Sequence, residues 1–190
     1  KNARSVAKAS GISMMALSLA ACGGGSAPAP VVMVEVVPTK SALTIWNDTV
    51  VGTTADDVVT GARIDTVQVF NSGDSIVLGD GNDSLSATLN AGTVTPVAMT
   101  GVENVMFTVL GDATVDFDNV SGVTSIISRG SSATLLVDDI QEIPTSISIN
   151  NNTAVQTFVI KDAAVSGATD SITLNFDGVG GVVNVGGETD

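Results

Sequence analysis

The chain has no histidine, no tyrosine, a single cysteine and a single tryptophan, and its aromatic content is 3%. Without histidine, and with only one thiol, the nitrogen and sulfur ligand sets of zinc, haem and iron–sulfur centres are excluded. The abundant serines and threonines lack a histidine or a well-placed lysine to activate them as nucleophiles. One cysteine also forbids an internal disulfide. Basic residues are almost as scarce, seven Lys and Arg in 190 residues against 20 acids. Lys40, Arg63, Arg129 and Lys161 are the only cations after Cys22, and all 20 acids follow it, which leaves that part at −16. A surface of that sign repels phosphate, so nucleic acid is not an expected partner. The longest leading apolar run, Ile12 to Ala21, is too short to span a bilayer.

What is present is β-forming. Val, Thr, Ser, Asn and Gly dominate and hydrophobic residues make up 44% of the chain. With few aromatics, the core must be built from small, largely β-branched side chains, which suits many short strands in thin layers. Little helix is expected after residue 40, with a turn at Asp162 to Ser166. The expected class is all-β, a β-roll or parallel β-solenoid, with a sandwich of short strands as the alternative.

Within residues 41–90 one phrase, an aspartate, a linking residue and an aliphatic one, occurs five times. It begins at Asp48, Asp57, Asp65, Asp74 and Asp83, at spacings of 9, 8, 9 and 9 residues. Such a step puts the carboxylates at the same point of successive turn-plus-strand units, where they repel unless a cation intervenes. Sixteen of the acids are Asp and four are Glu. The shorter side chain suits turns and compact oxygen cages. The candidate metal ligands are Asp48, Asp56, Asp57, Asp65, Asp74, Gly79, Asp80, Gly81, Asn82 and Asp83, with Ca2+ as the cation. Aspartate turns satisfied by backbone amides are the metal-free alternative.

The stretch Gly79-Asp80-Gly81-Asn82-Asp83-Ser84-Leu85-Ser86 resembles the nonapeptide repeat of RTX proteins, with Leu78 in place of the first glycine. The run from Gly52 to Gly61 is similar to a degenerate copy. The resemblance implies two nonapeptides per coil. Asp48, Asp65 and Asp83 would then share one edge, and Asp57 and Asp74 the other, with calcium between alternate units.

After Ala91 a 21-residue period takes over, in Val105, Ile126 and Ile147, with alternating runs at Ala113–Phe117 and Ala133–Val137 about midway. Strands are also expected at Val155–Ile160, Ser171–Phe176 and Val182–Val185. The order of parts resembles the β-rich region of bacterial surface-layer and related RTX surface proteins, which implies a calcium-dependent, self-assembling extracellular structure.

At the amino end, Lys1, Arg4 and Lys8 precede the apolar run, which closes on Leu19-Ala20-Ala21-Cys22. That ending resembles a bacterial lipobox, implying cleavage before Cys22 and lipidation of its thiol. Residues 1–21 then form a signal peptide, a disordered or helical leader, and residues 22–40 a lipidated flexible tether. Residues 41–90 form the acidic repeat segment, and residues 91–190 continue the β-solenoid.

The function expected is a non-enzymatic structural protein of the cell surface, an outer-membrane lipoprotein held to the membrane by its lipid and self-associating into a lattice or filament. The alternative is a calcium-binding module of a larger secreted hydrolase or adhesin. Trp46 and the phenylalanines are expected in the core or as end caps. Asp116, Asp118, Asp138 and Asp139 read as exposed turn acids.

Overall fold

A computed structural model describes residues 36–165 and 170–187. The expected signal peptide, Cys22 and the expected tether as far as residue 35 lie outside the described residues. The described chain is all-β, with sixteen strands and no helix. Alternating burial builds the strands: in Ser84–Leu89 and Asn104–Val109 every second side chain is buried and the others are half-exposed.

The strands, numbered in chain order, lie in three sheets. The first holds β1 (Lys40–Ala42), β3 (Val58–Gly61), β5 (Ser84–Leu89), β8 (Asn104–Val109), β11 (Ser125–Arg129), β13 (Ser146–Asn150) and β15 (Thr173–Asp177), side by side in that order. The second holds β2 (Thr49–Val51), β4 (Ser75–Val77), β7 (Ala98–Thr100) and β10 (Val120–Ser121). The third holds β6 (Gly92–Val94), β9 (Ala113–Asp116), β12 (Leu135–Ile140), β14 (Gln156–Ile160) and β16 (Val183–Gly187). All pairings between these strands are parallel, unlike the antiparallel pairs of a sandwich. An isolated antiparallel bridge joins Ile64 to Val67.

Register turns the sequence periods into columns of side chains. Val59, Leu85, Val105, Ile126, Ile147 and Leu174 stand one above another in the first sheet. The 21-residue period of Val105, Ile126 and Ile147 is thus the step from one strand to its neighbour. In the third sheet Val94, Val115, Val137, Phe158 and Val185 align in the same way. Burying each such side chain contributes about 1.5–3 kcal/mol, so the columns supply the main driving force for this arrangement.

One set of buried polar residues forms a satisfied group. Ser128 replaces an aliphatic residue in its column, donates to Gln156 Oε1 at 2.6 Å and accepts from Asn152 Nδ2 at 2.8 Å. Asn152 Oδ1 in turn takes the Ser131 amide at 2.9 Å. The columns end exposed: Leu174 and Phe176 in β15 are 43% and 54% accessible, although they continue the line of fully buried Ile147 and Ile149. Four phenylalanines, Phe70, Phe107, Phe117 and Phe158, are in the core as expected, but Trp46 is not: it is 73% exposed in the turn before β2.

Candidate metal sites

Each strand of the first sheet is preceded by a residue that forms one rung of a further column. In sheet order those residues are Thr39, Asp57, Asp83, Glu103, Thr124, Thr145 and Ile172, so three successive rungs are acidic. The chain builds them identically: the carboxylate on one rung accepts the backbone amide of the rung before it. Asp57 Oδ1 takes the Thr39 amide. Asp83 Oδ1 takes the Asp57 amide at 2.6 Å, and Glu103 Oε2 takes the Asp83 amide at 2.7 Å. The same device occurs once in the second sheet, where Asp74 Oδ1 takes the Asp48 amide at 2.9 Å. Carboxylate acceptors extend the strand ladder past its last backbone pair, a charge-assisted substitute for a carbonyl.

Local turns occupy most of the remaining oxygens. Asp57 Oδ2 accepts the Thr53 amide at 2.6 Å, and Asp74 Oδ2 the Asn71 amide at 2.8 Å. Asp48 Oδ2 accepts the Thr44 amide at 2.6 Å. Asp83 departs from this pattern. Its side chain is fully buried, yet Oδ2 has no hydrogen-bond partner among the described residues. A buried carboxylate oxygen without a donor is costly unless a proton or cation meets it.

The titration of the three buried aspartates follows from this bonding. Burial acts to raise the Asp57 carboxyl, but the hydrogen bonds from Thr39 and Thr53 outweigh it, and its pKa lies below the ordinary carboxylate value. At Asp83 burial prevails over the Asp57 amide, and the charges of Glu103, Asp57 and Asp56 add to it, so its pKa is raised. Asp74 is raised as well, by burial first and by the Asp48 charge, against the amides of Asn71 and Asp48.

Glycine permits the close approach of turns that the column needs. Gly79 and Gly81 have φ of 97° and 137°. A Cβ on Gly81 would come 2.7 Å from the Ala55 carbonyl oxygen and 2.8 Å from Asp83 Oδ1.

Of the ten residues expected as ligands, Asp57 and Asp83 stack directly, and Asp48 stacks on Asp74. Asp56 Oδ1 takes the Asn82 amide at 2.9 Å on the exposed side of the same turns. Gly79, Asp80 and Gly81 belong to those turns with their side facing solvent. Asp65 stands apart, exposed in a left-handed turn with φ of 55°. The grouping implied by the RTX resemblance is therefore corrected. Asp48 pairs with Asp74 and Asp57 with Asp83, each 26 residues apart, which is three aspartate phrases per turn of chain instead of two. The reason lies in the Asp65 unit: it forms no strand, and its Val69 and Phe70 are buried as a third side. An 18-residue step occurs between β1 and β3.

A second acidic group was not anticipated as a site. Carboxylate oxygens of Asp116, Asp118 and Asp139 lie within 4.8 Å of one another and could hold a metal ion. Asp116 ends β9, Asp118 follows in the turn, and Asp139 sits at the irregularity in β12 with φ of 55°. The Lys161 ammonium already enters this group, 2.5 Å from Asp118 Oδ1 and 3.3 Å from Asp139 Oδ1. The Asp118 hydrogen bond, with help from Asp139, holds its pKa above the ordinary lysine range. The 22-residue spacing from Asp116 to Asp138, close to the 21-residue period, was the available sequence signal, since those two pair in register. Lys161 gave none, because it lies 43 residues from Asp118.

The chain matches no protein-family model, no curated protein and no solved structure.

Proposed function

We propose that the chain is a non-enzymatic structural protein of the cell surface, a parallel β-solenoid that takes Ca2+ at its acidic column and self-associates into a lattice or filament. The solenoid reading is supported by the parallel pairing of successive strands at steps of about one coil, 20 residues from Leu85 to Val105 and 21 from Val105 to Ile126. The observation that carries the cation is Asp83 Oδ2, buried and unpartnered between other carboxylates. Hard oxygen donors from carboxylates and turn carbonyls, with no nitrogen or sulfur ligand, favour Ca2+ over transition metals. Extracellular calcium modules typically bind at about 10⁻⁴–10⁻³ M, so the ion here is structural and weakly held.

Neutralising the column also serves assembly. A body at −16 resists close packing with its copies until divalent ions screen or bridge it. Among the described residues β1 and β15 are the edge strands of the first sheet, and their outer backbone groups are offered for that packing. In this reading Cys22 carries the lipid that holds the assembly to the outer membrane, and the segment that follows gives it reach.

Electron microscopy of the purified chain in millimolar calcium, before and after chelation, tests the reading. Ordered sheets or filaments that dissolve with the chelator are expected. Dispersed particles in both conditions would count against assembly.

A further inference from the structure

We propose that Glu103, which lies outside the acidic repeats, is the third carboxylate of the cation site and places the ion between the second and third rungs of the column. This rests on the reading of the column as a cation site. Asp57 is the poorer donor for that ion: one of its oxygens is taken by the Thr39 amide and the other by the Thr53 amide at 2.6 Å, whereas only one oxygen of Glu103 takes an amide. The Asp57 carboxylate closes a turn. Asp83 has Oδ1 bound by the Asp57 amide and Oδ2 buried and free. An ion meeting Oδ2 therefore has its better anionic donor on the other neighbouring rung.

Glu103 occupies that rung. It is anchored beside Asp83, its Oε2 accepting the Asp83 amide at 2.7 Å, and it is half-buried where Asp56 and Asp80 are exposed. The repulsion that destabilises the ion-free column becomes attraction for a divalent cation once the ion is present. The ion then joins β5 to β8, the place where the acidic repeats give way to the 21-residue coils. Its binding stiffens the junction between the two halves instead of only the repeats.

Glu103→Gln tests this directly, because the amide side chain keeps an oxygen for the Asp83 amide while removing the charge. By calorimetric titration with CaCl2, the variant is expected to bind at least about tenfold more weakly than the unmodified chain, since affinity in such sites follows the count of charged ligands. Its melting temperature in chelator should be unchanged or higher. Asp177→Asn, in the exposed strand β15, should bind as the unmodified chain does. In the unmodified chain, carboxyl-carbon NMR should show Glu103 and Asp83 shifting together along the calcium titration, a readout that does not depend on any variant folding. Unaltered affinity in Glu103→Gln, or a Glu103 resonance that stays still while Asp83 moves, would overturn the role of Glu103 and leave the cation reading standing. An unmodified chain that binds no calcium at all would overturn both.

Discussion

Truncating Phe107 to alanine is expected to cost about 3–5 kcal/mol, the range for removing a large aromatic from a packed core. Phe107 is fully buried, and in its column it stands between Ala87 and Ser128, two side chains too small to close over the space. Its ring lies 6.4 Å from that of Phe70, at 24°, so the cavity would also open onto the third side formed by the Asp65 unit. Backbone pairing on both edges of β8 fixes the strand, and the site cannot collapse. Urea unfolding should show a midpoint shift of that size at an unchanged slope, and a loss under about 1 kcal/mol would mean the columns are packed loosely.

Gly52→Ala should destabilise by about 1–3 kcal/mol or more, through overpacking between coils. The added Cβ would fall onto the Leu78 carbonyl oxygen and lie 2.5 Å from Asp57 Oδ2. The Leu78 backbone cannot retreat, since its own amide is bonded to the Thr100 carbonyl at 3.0 Å. The two turns must part, and with them the bonds that orient Asp57 and Asp83. Thermal denaturation should therefore show a lower melting temperature and a weakened response to calcium. Gly186→Ala, where nothing lies within 4 Å of the new Cβ, is the matched control and should leave both unchanged.

The parts legible in the sequence were those in which successive strands of a sheet pair at a constant step. Val105, Ile126 and Ile147 are evenly spaced because each strand there pairs with the next at the same step, so the period and the register are one quantity. The aspartate rhythm was equally regular and still gave the wrong neighbours. Periodicity fixes where a unit recurs, but the number of units in a turn of chain is set by packing. Here that number is three, because Val69 and Phe70 find a buried place on a third side although the Asp65 unit has lost its glycines and its strand. The positive φ of Gly79 and Gly81 was readable from their placement around Asp83. Glu103 was not, since it falls outside the aspartate phrase and joins the column only through the 20-residue step from β5 to β8. The meeting of Lys161 with Asp118 and Asp139 spans up to 43 residues of chain and left no local trace.

The most direct test of the acidic column is thermal unfolding of the unmodified chain in 10 mM calcium and in chelator. With dissociation constants of about 10⁻⁴–10⁻³ M, that concentration stabilises the folded state by roughly 1.4–2.7 kcal/mol, and the melting temperature should rise accordingly. Superimposable curves in the two conditions would contradict a cation at Asp83 and leave its free oxygen to be met by a proton instead.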